Sequence, residues 1–437
     1  MVAKRKGLMT IITGFRISDI RFPTSKSLDG SDAMNKDPDY SAAYLILDTD
    51  SDLSGHGFAF TLGRGTELQC ATIELLAPKV VGRKVAELKG ELGTIARELV
   101  SDSQIRWLGP EKGLTHMAVG AVLTALWDLV SKHEQKPLWE VLADMSPEEI
   151  VSLVDFRYIR DVLTPEEALE ILKKAEPTKA ARKAKLLKDG VPAYTTSPGW
   201  LGYSDEKMVR LAKEAVADGF TLIKLKCGGS IEDDKRRLRL AREAVGPNVR
   251  LAIDANQVWS VDEAIAWLKE LHGVDLYWIE EPTSPDDALG HATIAQAIAP
   301  IRVATGEHVQ NRIIFKQMLQ LGAFSFMQID STRVAGPNEN IANILLAAKF
   351  GIPVCPHAGG VGLCELVQHL SMFDYVAVSG ENDARVIEFV DHLHEHFVTP
   401  VEIAKGRYLA PTAPGAGGEM FADSIKRFTF PDGSEWK

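Results

Sequence analysis

A chain of 437 residues is too long for one ordinary core, and 45% apolar with 25% charged residues is the balance of a soluble globular protein with a large and a smaller domain. The net charge of -11 is spread along the sequence and argues against nucleic acid as a partner, which needs a basic face. Four scattered cysteines with no C-x-x-C pair argue against a disulfide framework or a zinc site, and for a reducing compartment.

The opening "MVAKRKGLMTIITGF" has no apolar run of signal-peptide length, and no run of about 20 apolar residues follows. A cytoplasmic protein with no membrane partner is expected. Residues 8–63 predict β structure, because "MTIITGFRISDIRF", "AAYLILDTD" and "SGHGFAFTLG" are apolar or alternating runs parted by polar turns. Between the first two lies "PTSKSLDGSDAMNKDPDYS", a polar loop of a length that usually carries function. Residues 64–145 turn helical, and in "GLTHMAVGAVLTALWDLVSKH" Leu123, Leu126, Trp127 and Val130 keep the helical spacing. The first domain is therefore a compact α+β unit. Residues 147–190 form a charged, helix-rich connection with a clear helix start at Thr164-Pro165-Glu166-Glu167.

From residue 191 apolar strands alternate with capped helices at least six times: "FTLIKLKC", "VRLAIDAN", "VDLYWIEEP", "IRVATGEH", "AFSFMQID", "IPVCPHAG". That alternation means a parallel sheet with crossover helices, and near-equal units favour a closed (β/α)8-type barrel over an open sheet. No Gly-x-Gly-x-x-Gly sits between a strand and a helix, which counts against a dinucleotide fold.

Each strand end carries a chemical group. Lys224 and Lys226 come first, then Asp254 with Asn256, Glu280, Glu307, Asp330 and His357. Counted from Lys226 the spacings are 28, 26, 27, 23 and 27 residues, one strand–helix unit each. One titratable strand end is ordinarily a surface residue or a salt-bridge partner. Six in succession converge on one barrel mouth. The carboxylates of Asp254, Glu280 and Glu307 cannot crowd there without a counter-charge, and an all-oxygen set suits Mg²⁺. Glu281, next along the strand, is expected to point elsewhere. Crowding of Lys224 against Lys226, and of both against the metal, is expected to lower a lysine pKa toward a usable base. A Schiff-base lysine is the rival reading, but it needs no carboxylate triad. His357 alone would be a packed histidine; Asp330, one unit earlier, is placed to hold its ring. These parts permit abstraction of a proton next to a carboxylate, followed by reprotonation or loss of a β-hydroxyl.

The marks "KLK" (224–226), "DAN" (254–256), "IEEP" (279–282), "ATGE" (304–307), "QID" (328–330) and "PHAGG" (356–360) resemble the enolase superfamily in its mandelate racemase-like branch. Longer strings, among them "DAMNKDPDYSAAY", "IRWLGPEKG", "AYTTSPGWLGYSD" and "EFVDHLHEHF", resemble the L-fuconate dehydratase group of acid-sugar dehydratases across nearly the whole chain. The resemblance implies a modified TIM barrel of (β/α)7β type with an N-terminal α+β capping domain. Residues 1–146 would be the cap, with an active-site loop at 24–41. Residues 147–190 connect, 191–395 form the barrel, and 396–437 return to the cap. Lys226 would take the C2 proton of a sugar acid, with Lys224 beside the substrate carboxylate. His357, paired with Asp330, would protonate the leaving C3 hydroxyl, and Asp254, Glu280 and Glu307 would hold Mg²⁺. Asn256, Glu307 and Glu388 would meet substrate, and Glu388 would need to be protonated or to share a proton. Gly30, Ser31, Asp32 and Tyr40 would close over the polyol tail, and Trp200 would line the pocket. The implied reaction is L-fuconate to 2-keto-3-deoxy-L-fuconate, a step of fucose catabolism. Dehydration of a related aldonate such as L-galactonate is the alternative, and a racemase or epimerase is third. A small-molecule sugar acid is the expected partner, and a homo-oligomer the expected assembly.

Overall fold

The computed structural model describes residues 10–437; most of the basic opening lies outside the described residues. Three antiparallel strands, β1 (Ile12–Arg21), β2 (Ser41–Thr49) and β3 (Ser54–Thr61), form the cap sheet. Helices Thr66–Leu76 and Gly113–His133 pack on it, and Val85–Val100 packs on Gly113–His133. The last of these has the length and apolarity of a membrane span but is 89% buried. It is the core of the cap, wedged between the sheet and the barrel, which is why its apolar residues run all round it rather than along one stripe.

Helices Pro147–Leu153, Pro165–Ala175 and Lys179–Asp189 lead to the barrel, the first two opened by capping boxes at Ser146 and Thr164. Six parallel strands follow: β4 (Val191–Thr195), β5 (Leu222–Lys226), β6 (Arg250–Asp254), β7 (Leu276–Glu280), β8 (Arg302–Thr305) and β9 (Phe326–Met327). The seventh stave is the segment 353–357, bridged to β9 through Met327 and Val354. The eighth is β10 (Ile387–Phe389), which pairs in parallel with β4 and closes the ring. A helix follows each of the first seven staves and none follows the eighth, which makes a (β/α)7β barrel. The chain then adds β11 (Ile403–Ala404) and β12 (Arg407–Tyr408) beside β4 and returns to the cap. There Phe428 packs on Phe22 with ring centroids 4.5 Å apart, and Thr429 bridges Ile20.

One inward residue from each stave fills the barrel's middle: Tyr194, Leu222, Ala252, Trp278, Ala304, Phe326, Cys355 and Val386. Strand side chains alternate, so the next inward residue lies two further on. Those positions hold Lys224, Asp254, Glu280, Gln328, His357 and Glu388. The polar layer of the mouth thus rests on an apolar plug.

Candidate active site

The strand register sets the key groups side by side. Lys226 pairs with Asp254 across β5 and β6, and Asp254 with Glu280 across β6 and β7. Glu307 reaches the same place from the turn after β8. Gly306, just before it, has φ +146°, and a Cβ there would meet the Gln328 carbonyl at 2.2 Å; glycine lets that turn press against the neighbouring stave. One carboxylate oxygen from each of Asp254, Glu280 and Glu307 lies within 4.8 Å of the others. Asp254 and Glu280 are fully buried, and Glu307 is 5% exposed, its Oε2 accepting no hydrogen bond.

Two ammonium groups sit among them. Lys226 Nζ is 2.5 Å from Asp254 Oδ2. Lys224 Nζ donates to Glu280 and lies 3.0 Å from Glu388 Oε1 and 3.4 Å from Asp254 Oδ2. Burial works to lower both lysine pKa values, but the surrounding acids together outweigh it, Asp254 foremost for Lys226 and Glu280 with Glu388 for Lys224, and both ammonium groups are held above their ordinary range. The expected lowering leans on a bound metal as well as on like-charge crowding; among the protein's own groups the nearest neighbours are carboxylates, and these hold both lysines up. Glu388 departs from expectation too. Burial raises its pKa, but Lys224 and His357 pull it to about 2, and its oxygens accept from Thr196 Oγ1 and the Ala358 N–H. It is an ionised partner of Lys224, not a protonated acid.

His357 lies on the seventh stave. Its Nδ1 is 2.7 Å from Asp330 Oδ2, and Asp330 Oδ1 is fixed by the backbone N–H groups of Thr332 and Arg333 at 2.7 and 2.8 Å. The other ring nitrogen, Nε2, points to Glu307 Oε2 at 3.3 Å. Burial lowers the His357 pKa, but Glu307 and the Asp330 hydrogen bond raise it to about 9, so the ring carries a transferable proton near neutrality.

A cavity of about 440 Å³ opens above this floor, between cap and barrel. Its wall holds Gly30, Asp32, Tyr40, Trp200, Lys226, Asn256, Glu307, Asp330 and His357. Ser31, Lys224, Asp254, Glu280 and Glu388 stand one layer behind. Ser31 holds the capping loop down: its Oγ accepts from Gly202 N–H at 2.9 Å and its carbonyl from Leu201 N–H at 3.1 Å, while Tyr203 hydrogen-bonds Asp29. Gly30, at φ +82°, lies flat against Tyr40, whose hydroxyl would be 2.3 Å from a Cβ. Asp32 accepts from Met34 and Asn35 N–H groups, so it shapes its own turn as well as the wall. Trp200 lies beside Lys226, its ring centroid 5.5 Å from the Nζ.

Glu281 does not point away. Its φ of +42° breaks the alternation, and its buried carboxylate meets His308 Nδ1 at 2.9 Å and Gln257 Nε2 at 2.9 Å. His308 also lies 3.2 Å from Glu307 Oε1. Burial lowers the His308 pKa, but Glu281 raises it to about 10. The tandem acids of "IEEP" and the histidine after "ATGE" were the only signals for this pair. Arg333, Phe60, Leu62, Arg64, Leu114 and Met117 complete the wall and have no motif to mark them.

A capped barrel with a carboxylate triad, a lysine and a histidine–aspartate pair around one mouth defines a class of proton-abstracting barrel enzymes. Residues 207–424 match the enolase C-terminal domain-like family, and residues 33–143 match the mandelate racemase/muconate lactonizing enzyme N-terminal domain. An L-galactonate dehydratase from Hypocrea jecorina is 53% identical over 426 residues, spanning 96% of this chain and 94% of that protein. The crystal structure of human mitochondrial enolase superfamily member 1 superposes with a TM-score of 0.97 at 50% identity, over 99% of both chains. L-talarate/galactarate dehydratase from Salmonella typhimurium, liganded with Mg and L-lyxarohydroxamate, has a TM-score of 0.74 over 98% of this chain and 94% of that one; at 23% identity it speaks for the fold alone. The chain belongs to the enolase superfamily.

Proposed function

We propose that this chain is a Mg²⁺-dependent sugar-acid dehydratase whose first substrate is L-galactonate. The observation that carries the reading is a charge deficit. With the Glu281–His308 and Asp330–His357 pairs set aside, four buried carboxylates (Asp254, Glu280, Glu307, Glu388) face two ammonium groups (Lys224, Lys226). Fully ionised, these four want two positive charges, which is the charge of one divalent cation; without it burial and the neighbouring acids hold the Glu280 carboxyl well above its ordinary range, and the all-oxygen donors suit magnesium. Asp254, Glu280 and Glu307 would hold it. When bound, it supplies the positive charge that stabilises an enediolate and offsets the Asp254 charge that keeps Lys226 protonated.

The chain's own groups do the rest. Lys226 Nζ, at the cavity wall, takes the C2 proton and the electron pair of that bond passes into the carboxylate; the pair then returns to form the C2–C3 double bond as the C3–O bond breaks. His357 Nε2, held in line by Asp330 through Nδ1, gives its proton to the departing hydroxyl, which leaves as water. The enol product then becomes the 2-keto-3-deoxy acid. Lys224 and Glu388 fix the floor beneath. The capping loop closes the cavity to water.

L-Fuconate is 6-deoxy-L-galactonate, so the two readings differ by one terminal hydroxyl. The 53% identical L-galactonate dehydratase supports the hydroxymethyl form. The apolar side chains of Phe60, Leu62, Leu114 and Met117 on the cap wall favour the methyl form as a second substrate. An apolar wall rejects an added hydroxyl by at most about 100-fold. Turnover of a panel of aldonic acids with magnesium, scored as 2-keto-3-deoxy product, tests this. The expected result is both acids turned over, with kcat/KM values within about 100-fold of each other. A panel in which neither yields a keto-deoxy acid refutes the dehydratase reading.

A further inference from the structure

The cap meets the barrel through the first turns of its central helix, and Gly113, Leu114 and Met117 from those turns also wall the cavity. This stretch is fastened at four points to the loop after β8, the loop that carries Glu307. Glu111 Oε2 accepts from Arg312 Nη1 at 2.8 Å. The Glu111 carbonyl accepts from Asn311 Nδ2 at 2.8 Å, while Asn311 Oδ1 caps the helix Arg312–Leu321 through the N–H groups of Ile313 and Ile314. His116 Nδ1 meets the Gln310 carbonyl at 2.8 Å. Arg333 donates through Nε to the Glu307 carbonyl at 3.1 Å and through Nη1 to Met117 Sδ at 3.7 Å.

The anchor of this clasp is Glu111. Its side chain and that of Arg312 are each 1% exposed, and it holds φ +53°, a conformation that a non-glycine residue keeps only when its surroundings enforce it. Its second oxygen, Oε1, takes Arg106 at 3.4 Å and Arg157 at 3.3 Å, and Arg312 in turn binds Glu339 at 3.1 Å. A buried ion pair is poor evidence of added stability by itself, because desolvation offsets the attraction. What such a network does is fix geometry, and a displacement of about 1 Å at a reacting centre can cost about 100-fold in rate. The clasp has on one side the wall that faces a substrate and on the other the carboxylate that faces a cation.

We propose that Glu111 is a positioning residue that sets Glu307 and the cavity wall at a fixed separation, so that metal affinity and sugar-acid affinity depend on a side chain that touches neither ligand. This rests on the assignment of Glu307 to the metal. The test is magnesium titration by calorimetry of the full chain, with KM and kcat for L-galactonate measured beside it. Glu111→Ala is expected to raise the magnesium dissociation constant about tenfold, the scale of losses at outer partners of metal ligands. KM should rise with it and kcat should fall less. Glu111→Gln, which keeps an acceptor for Arg312, should shift both by about threefold and serves if the alanine variant does not fold. Leu92→Ala, in the cap core, should lower thermal stability and leave the magnesium constant unchanged. Magnesium binding by the soluble Glu111 variants at the wild-type constant, whatever their thermal stability, overturns the proposal. Wild-type protein that takes up no magnesium overturns the metal assignment itself, a different failure.

Discussion

Glu280→Gln should make the metal-free protein more stable and abolish its response to magnesium. Glu280 is fully buried and shares its surroundings with Asp254 and Glu307, with oxygens within 4.8 Å. At an effective dielectric constant near 20, two like charges at that limit repel by about 3.5 kcal/mol. Against this stands the attraction of Lys224, which keeps Glu388 at 3.0 Å and Asp254 at 3.4 Å when Glu280 is neutral and so is not stranded. The balance favours the neutral residue by about 1–3 kcal/mol, the range seen when buried ionic clusters are replaced by uncharged groups. The pH dependence has a definite sign. Burial, with Asp254, Glu388 and Glu307, holds the Glu280 carboxyl well above its ordinary range despite Lys224. A carboxyl raised on folding stabilises the fold while protonated, and that stability is lost as pH rises through the folded value. Glutamine imitates the protonated form, so the advantage of the variant grows toward alkaline pH and shrinks in acid. Urea unfolding in chelator, at acid and alkaline pH, reads both effects. Magnesium at 100 times its dissociation constant should then stabilise the wild type by about 2.7 kcal/mol and the variant hardly at all. A variant less stable than the wild type in chelator, or one stabilised equally by magnesium, refutes the reasoning.

Four further variants have outcomes that follow from the geometry. Lys226→Ala should reduce exchange of the C2 hydrogen in deuterated water by about 10²–10⁴-fold, the usual share of a general base. His357→Asn should block elimination while some exchange survives, and NMR of the recovered acid distinguishes the two. His369 is buried, accepts from the Trp139 N–H at 3.2 Å, and is pushed down by desolvation to about 3. A histidine lowered on folding leaves the protein fully stable above its unfolded value near 6.5 and weakens it as pH falls toward 3, by about 2 kcal/mol at pH 5. His369→Asn should flatten that acid slope in urea titrations; an unchanged slope assigns it to other groups. Tyr203→Phe removes the hydroxyl that binds Asp29, and with it about 1.5–3 kcal/mol of hold on the capping loop. It should raise KM and speed proteolytic cutting within residues 24–41, whereas unchanged values of both place the hold in Ser31 alone.

The barrel was legible because its units repeat. Strand, turn and helix recur at intervals of 23 to 28 residues, and the period-two rule then puts Asp254, Glu280 and His357 on one inward layer. The protonation states were not legible. Lys226 and Glu388 depend on which neighbour is nearest, and Asp254 Oδ2 at 2.5 Å or Lys224 Nζ at 3.0 Å decides more than the count of like charges along a strand. Glu281 escaped the alternation for a local reason: at φ +42° the strand has already ended, so its carboxylate turns toward His308 instead of the outer face. The helix Gly113–His133 was legible from the spacing of Leu123, Leu126, Trp127 and Val130; its length and apolarity would also fit a membrane span, and its place between sheet and barrel accounts for them.

Substrate choice was the least legible part, and the reason is geometric. The chemistry comes from strand ends of one repeating architecture, whereas the wall that meets the polyol comes from unconnected pieces of the cap: the loop around Gly30 and Tyr40, the end of β3 at Phe60 and Leu62, and the start of the central helix at Leu114 and Met117. No spacing rule links these residues, and each is an ordinary side chain in its own segment. L-Galactonate and L-fuconate differ by one oxygen at the end farthest from the reacting carbons. Discrimination there turns on whether any polar group is buried against that end without another partner, because an unpaired donor or acceptor rejects the methyl form far more strongly than an apolar wall rejects the hydroxyl. Gln69 is the nearest candidate, and its Nε2 is already committed to the Leu114 carbonyl at 3.1 Å. On the proposed reading the wall would accept both acids, and Leu114→Ser, which adds a hydroxyl to that wall, should move the preference toward L-galactonate by roughly tenfold, a shift read as the ratio of the two kcat/KM values. An unchanged ratio would place the C6 end of the substrate elsewhere in the cavity.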